Sequence, residues 1–131
     1  MTATALDDCL AQHRAHAART QRLDEHLGMW HGITWSDFVL LDTLAAQGAQ
    51  PIAALAARLA VPRSRLLAQV LPLEKLGWVQ REGEAAAART VALSDSGRRL
   101  VHGARESAAD WCERFGGLQA APALRGQLQN P

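Results

Sequence analysis

The apolar residues of this chain recur with helical spacing for three quarters of its length and with strand spacing only once, near the middle. From about Ala5 to Leu27 no proline or glycine interrupts, and Leu6, Leu10, His13 and Ala17 fall at i, i+4, i+7 and i+11, one stripe of a helix. Gly28 is the expected stop, with Gly32 in the loop beyond it. Thr34 or Ser36 is placed to cap a second helix whose apolar face is Phe38, Val39, Leu41, Leu44 and Ala45, ended by Gly48. Pro51-Ile52 reads as a short extended piece. A short helix over Ala53 to Ala60 then meets Val61-Pro62, where proline disfavours helical backbone for the residue before it. A further helix opens at Arg63 with Leu66, Val70, Leu73 and Leu76 in register and closes at Gly77. Pro72 lies within it and is expected to kink or loosen the last turn.

After Gly77 the period shortens to two. Trp78-Val79-Gln80-Arg81 and Arg89-Thr90-Val91-Ala92-Leu93 are strand candidates, joined through Gly83 as a hairpin. Ser94 caps a last long helix, about Asp95 to Phe115, with Leu100, Ala104, Ala108, Trp111 and Phe115 along one stripe. Gly116-Gly117 ends it. The expected fold is mainly α with a small β-hairpin wing: a winged helix-turn-helix flanked by long N- and C-terminal dimerisation helices. We expect a single domain over 1–131, with a DNA-binding lobe at 34–93 and a dimerisation region at 5–27 and 95–131. The first and last helices carry apolar stripes that one chain of this length cannot bury alone, which implies a homodimer.

Composition narrows the class. A chain of 131 residues is about one domain, and no apolar run approaches the roughly 20 residues that span a bilayer. Met1 to Leu10 has neither a basic leader nor an apolar core, so no signal peptide is expected, and a cytoplasmic location follows. Two cysteines, Cys9 and Cys112, stand near opposite ends and make no disulfide framework. The net charge of +1 conceals an asymmetry: residues 1–49 carry a net −3, whereas residues 50–93 carry a net +3. A basic middle segment suits a polyanionic partner.

Helix, tight break, helix and hairpin is the order in which a first helix braces a second whose N-terminal residues reach base edges in a major groove. Arg63, Ser64 and Arg65 open that second helix and are the candidate base-contacting residues. Arg89 and Arg81 on the hairpin are candidates for the DNA backbone. The segments HGITWSDFVLLDTLA, PIAALAARLAVPRSRLLAQVLPLEKLGWVQRE and VALSDSGRRL together resemble the MarR family of bacterial transcription regulators, from about Gly32 to Leu100. The resemblance implies a homodimeric regulator, a repressor in the first instance, on a pseudo-palindromic double-stranded DNA operator. The chain departs from the family pattern in three places. Its wing is short and alanine-rich, with Arg89 as an approximate substitute for the family's wing arginine. Ala68 stands where a basic or polar residue is common, and Pro72 is unusual in that helix.

The resemblance also implies a small aromatic effector bound between the lobes, for which Trp30, His31, Trp35 and Phe38 are the candidate residues, Trp30 and His31 lying in a loop. Two rival effector chemistries start from Cys9. With His13 and His16 it shares one helix face at a spacing suited to a soft metal, and as a thiol it is a candidate redox sensor. Cys112, beside Trp111, reads as a packed residue. No nucleophile elbow, phosphate-binding glycine loop or His-Glu-x-x-His is present, so neither an enzyme nor a cofactor is expected. A winged-helix protein-interaction module with weak DNA binding is the alternative of a different class.

Overall fold

The computed structural model describes residues 4–83 and 89–116. The elements are α1 (Ala5–His31), α2 (Trp35–Gln47), β1 (Gln50–Pro51), α3 (Ile52–Leu59), α4 (Arg63–Lys75), β2 (Val79–Glu82), β3 (Thr90–Leu93) and α5 (Asp95–Trp111), the last followed by a π-helical turn at Cys112–Gly116. They form two compact units, Met1–Trp35 with Glu106–Pro131, and Ser36–Arg105. Among the described residues no helix is long and apolar enough to cross a membrane.

In the terminal unit, α1 begins with a capping box. The Thr4 hydroxyl accepts from the Asp7 backbone N–H at 3.0 Å and the Asp7 carboxylate accepts from the Thr4 N–H at 3.1 Å, satisfying two donors that a helix start leaves open. The acidic Asp7 and Asp8 also suit the positive end of the helix dipole. The helix does not stop at Gly28, as its sequence suggests, but runs one turn further to Gly32, which has φ +71° and donates to the Gly28 carbonyl at 3.1 Å. A glycine inside a helix costs only about 1 kcal/mol against alanine. Burial of Leu27 on one side of it and Ile33 beyond the cap outweighs that. Trp30 and His31 are therefore helical residues and not loop residues. The stripe predicted for the first turns is fully exposed within the chain: residues 4–18 are all exposed, with Leu6 at 66% and Leu10 at 39%. Leu23, Leu27, Ala108 and Trp111 are buried, and the Trp111 ring lies 5.9 Å from that of Phe115. Cys112, at the start of the π turn, is exposed, as Cys9 is, and not packed as its neighbour suggested.

The central unit packs α2, α3, α4 and the first turns of α5 around one core, built on Leu40, Leu41, Leu44, Leu55, Leu66, Val70, Val91 and Val101. Its sheet has three strands where the sequence suggests a two-stranded hairpin. β1 joins in the order β1-β3-β2, all antiparallel, with Gln50 opposite Val91, Pro51 opposite Thr90 and Val79 opposite Leu93. Two residues are too few to show a period-two pattern, and Pro51 is tolerated because it lies on an edge strand.

Both helices of the central pair end in a Schellman arrangement. After α4, Trp78 N–H bonds to the Leu73 carbonyl and Gly77 N–H to the Glu74 carbonyl, each at 3.0 Å, with Gly77 at φ +82°. After α3 the same pattern is built on alanine: Val61 N–H bonds to Ala56 at 3.0 Å and Ala60 N–H to Ala57 at 3.2 Å, with Ala60 at φ +57°. Pro72 is accommodated without ending α4, since it lies in the last turn, where its missing N–H costs one bond only and the cap follows at once.

Downstream, the carbonyls of Gly77 and Trp78 are capped by the start of α5. Ser94 and Ser96 hydroxyls donate to the Gly77 oxygen at 2.5 and 2.8 Å, and Ser94 N–H donates to the Trp78 oxygen at 3.1 Å. The approach is possible because residue 97 is glycine; a Cβ there would lie 2.1 Å from the Trp78 oxygen. Gly97→Ala is therefore expected to destabilise the chain by about 3 kcal/mol, as overpacking against a rigid partner does. Ala60→Gly is expected to stabilise it by about 1 kcal/mol by relieving left-handed backbone. Urea denaturation of both variants checks the two signs.

Candidate nucleic-acid interface

The break between α3 and α4 sets the interface. Pro62 holds φ −63° and ψ 148° just ahead of α4 and supplies no capping side chain, and the first turn contains no acidic residue. The amino end of α4 thus presents backbone N–H groups and the positive end of a helix dipole to solvent. Arg63, Ser64 and Arg65 stand there, all exposed. Behind them Leu66, Val70 and Leu73 are buried and fix the rotation of α4 about its axis. The structure thus groups these three predicted residues on one exposed helix start.

Hairpin arginines are placed differently. Arg81 is half-buried and forms a two-point ion pair with Glu74 of α4, Nε to Oε2 and Nη2 to Oε1, both 3.0 Å. This fork ties β2 to α4, so the wing and the helix keep one relative orientation. Hydrogen bonding from Arg81 holds the Glu74 carboxyl below the usual carboxylate range, and the positive charge of nearby Arg89 acts in the same direction. Arg89, half-buried, precedes β3. Glu74 was not singled out in the sequence, since nothing in a local pattern pairs a helix carboxylate with a strand residue seven positions on. Gln69 was also missed: its amide donates to the Ser36 hydroxyl and the Asp37 carboxylate, each at 3.1 Å, which anchors α4 to the start of α2.

The four predicted effector residues are not equivalent. Trp30 is 67% exposed. His31 is half-buried, its Nε2 2.8 Å from the Ser107 hydroxyl. Trp35 is half-buried and its backbone N–H donates to Asp24 at 2.7 Å. Phe38 is buried. Two shallow depressions occur elsewhere. One, of about 380 Å³, is lined by Arg22, Glu25, His26, Met29, Trp111 and Phe115. The other, of about 400 Å³, is lined by Asp42, Ala45, Ala46, Arg98, Val101, His102 and Arg105. None of the four residues lines either. Among the described residues no group of three His, Cys, Asp or Glu side chains is arranged to hold a metal ion, so Cys9, His13 and His16 do not form the suggested site.

A four-helix lobe with a three-stranded wing is a winged helix-turn-helix, and within that class the whole chain has the fold of MarR family transcriptional regulators. A MarR family transcriptional regulator from Streptomyces coelicolor, solved in complex with DNA, superposes with a TM-score of 0.78 at 24% identity over 98% of this chain and 87% of that one. The transcriptional regulator BldR from Sulfolobus solfataricus gives 0.73 at 20% identity, over 97% and 94%. The M. tuberculosis transcriptional regulator MosR, in complex with DNA, gives 0.69 at 24% identity, over 93% and 90%. No family model matches the sequence, and no curated protein does.

Linkage between Glu74 and Arg81 makes a pH prediction. A carboxyl whose folded value is lowered contributes stability in full above its unfolded value, 4.5, and that contribution is lost as pH falls through the folded value. Urea denaturation of the native chain and of Glu74→Gln is expected to show a stability gap near neutral pH that closes on acidification below about 4.5. A gap independent of pH would remove the ion pair as its cause.

Proposed function

We infer that the chain is a sequence-specific DNA-binding transcription regulator, acting as a homodimer in the cytoplasm and repressing through a pseudo-palindromic operator. One observation carries this reading: the exposed start of α4, basic through Arg63 and Arg65 and without a side-chain cap or an acidic residue, held by Glu74 and Arg81 at a fixed angle to the wing. In this role Arg65, with Arg63 and Ser64, contacts base edges and phosphates, Arg89 contacts the backbone, and Arg81 reaches a phosphate with the donors its bond to Glu74 leaves over. Two of the similar structures, described as DNA complexes, support the same use of the fold. The exposed amino half of α1, with Met29 and Phe115 exposed as well, supports a partner subunit there. For the effector, the exposed Trp30 ring, with His31 next in the chain and held by Ser107, is the element we favour for a small aromatic anion, Trp35 following; Phe38, being buried, can act only through packing.

Mobility-shift titration at two salt concentrations tests the central claim, because binding through phosphates weakens as salt rises by counterion release. Arg65→Ala is expected to cost about 1–3 kcal/mol of binding and to relax sequence preference if it reads a base. Binding to duplex DNA that is absent or indifferent to salt would favour the protein-interaction reading of the same fold. Sedimentation is expected to show a dimer at micromolar concentration, and a stable folded monomer would count against the pairing of α1. Titration with aromatic acids, monitored by tryptophan fluorescence of native chain and Trp30→Phe, is expected to show a quench in the first that is reduced in the second.

A further inference from the structure

The outward face of α4 beyond its first turn is apolar, which is unusual for a helix placed to enter a polar groove. At about 3.6 residues per turn, Ser64, Ala68, Leu71 and Lys75 fall within an arc of about 60° on the side opposite the buried Leu66, Val70 and Leu73. Leu67, at one margin of that arc, is 38% exposed and Leu71 is 39% exposed. Polar groups able to read a base are missing from this stretch of the face. Gln69, the one amide on the helix, has its N–H groups held by Ser36 and Asp37. The apolar stretch is framed by exposed cations, Arg63 and Arg65 before it and Lys75 after it, while Glu74 is neutralised by Arg81. An apolar patch ringed by positive charge fits an occupant that is a polyanion with an apolar feature at its centre.

Resting on the reading of α4 as the helix that enters the major groove, we propose that Leu67, Ala68 and Leu71 select thymine by packing on its 5-methyl group, so that the half-site carries neighbouring thymines where this stretch of α4 lies. Thymine alone among the four bases shows a methyl in the major groove, whereas guanine and cytosine show polar edges there. Aliphatic side chains laid over a G·C pair would strip water from those edges and return no hydrogen bond. Over thymine the same side chains bury a carbon against carbon. Ala68 and Leu71 are about 4.5 Å apart along the helix axis, a little more than one base-pair step, so neighbouring bases are addressed. The arginines at the start of α4 then supply phosphate and guanine contacts, and the apolar turn supplies discrimination without hydrogen bonds.

The experiment selects duplexes from a randomised library with the full-length chain and then replaces thymines in the selected sequence, one at a time, by deoxyuracil, which removes only the methyl. We expect recurrent thymines and a loss of about four-fold in affinity at each contacted position, since burying one carbon is worth about 0.8 kcal/mol and about 1.4 kcal/mol is tenfold. Leu71→Ala, and Leu67→Ala with Leu71→Ala, shorten side chains that are 39% and 38% exposed; each variant is expected to keep a cooperative thermal transition and salt-dependent binding, with the discrimination between thymine and deoxyuracil reduced in the single variant and lost in the double. Selected sequences without recurrent thymines, or equal affinity for the two bases in the native chain, would overturn the proposal and leave the DNA-binding reading standing. Equal weakening on both duplexes by the leucine variants would also overturn it. A library from which nothing is enriched, with no salt-sensitive binding to any duplex, overturns both readings together.

Discussion

Two successive carbonyls, those of Gly77 and Trp78, hold the central unit in register. They emerge where α4 ends and β2 has not begun, so no helix or strand partner exists for them. The opening residues of α5 provide one: Ser94 and Ser96 hydroxyls for the first, the Ser94 N–H for the second, with Gly97 absent a side chain so that the backbones can meet. A hydrogen bond of this kind contributes about 0.5–1.5 kcal/mol net. Because the residues at either side of the contact are separated by the whole wing, the contact fixes the exit of α4, the root of the hairpin and the entry of α5 at once. The same Ser94 hydroxyl also accepts from the Gly97 N–H at 3.0 Å, which caps α5.

From that root the ion pair of Arg81 with Glu74 works outward. The root decides where β2 starts, and the fork decides how β2 lies along α4. Gln69 performs the corresponding task on the other side, anchoring α4 to the start of α2 through Ser36 and Asp37. Three polar attachments thus surround the buried line of Leu66, Val70 and Leu73. What remains of α4 is one exposed face, basic at its start and aliphatic along its middle.

Helical and strand periods in the sequence were sufficient for the order of the long elements and for the exposed, basic start of α4. Local signals failed where tertiary contacts decide. Gly28 carries the mark of a helix end, yet burial of Leu27 and Ile33 carries α1 through it to Gly32. Gln50 and Pro51 are too short to signal a strand; their pairing with Val91 and Thr90 makes them one. By contrast, the exposure of Leu6 and Leu10 within the chain agrees with a stripe that one chain was not expected to bury alone. At the candidate interface, Arg63, Ser64 and Arg65 were legible because a proline break followed by a basic helix start is a local feature. The engagement of Arg81 by Glu74 and of Gln69 by Ser36 was not, since each joins residues from different elements.

The sheet has two open edges, and both are closed to further strands. On one side β1 offers only Gln50 and Pro51, and proline has no N–H to donate. On the other, β2 is four residues long and carries Arg81 and Glu82, charged side chains that a pairing chain would have to desolvate. A strand from a second molecule therefore finds too few free ladder groups to register on either side. Among the described residues, a chain with so much exposed aliphatic surface on its helices is in this way guarded along both sheet edges against association through β-structure.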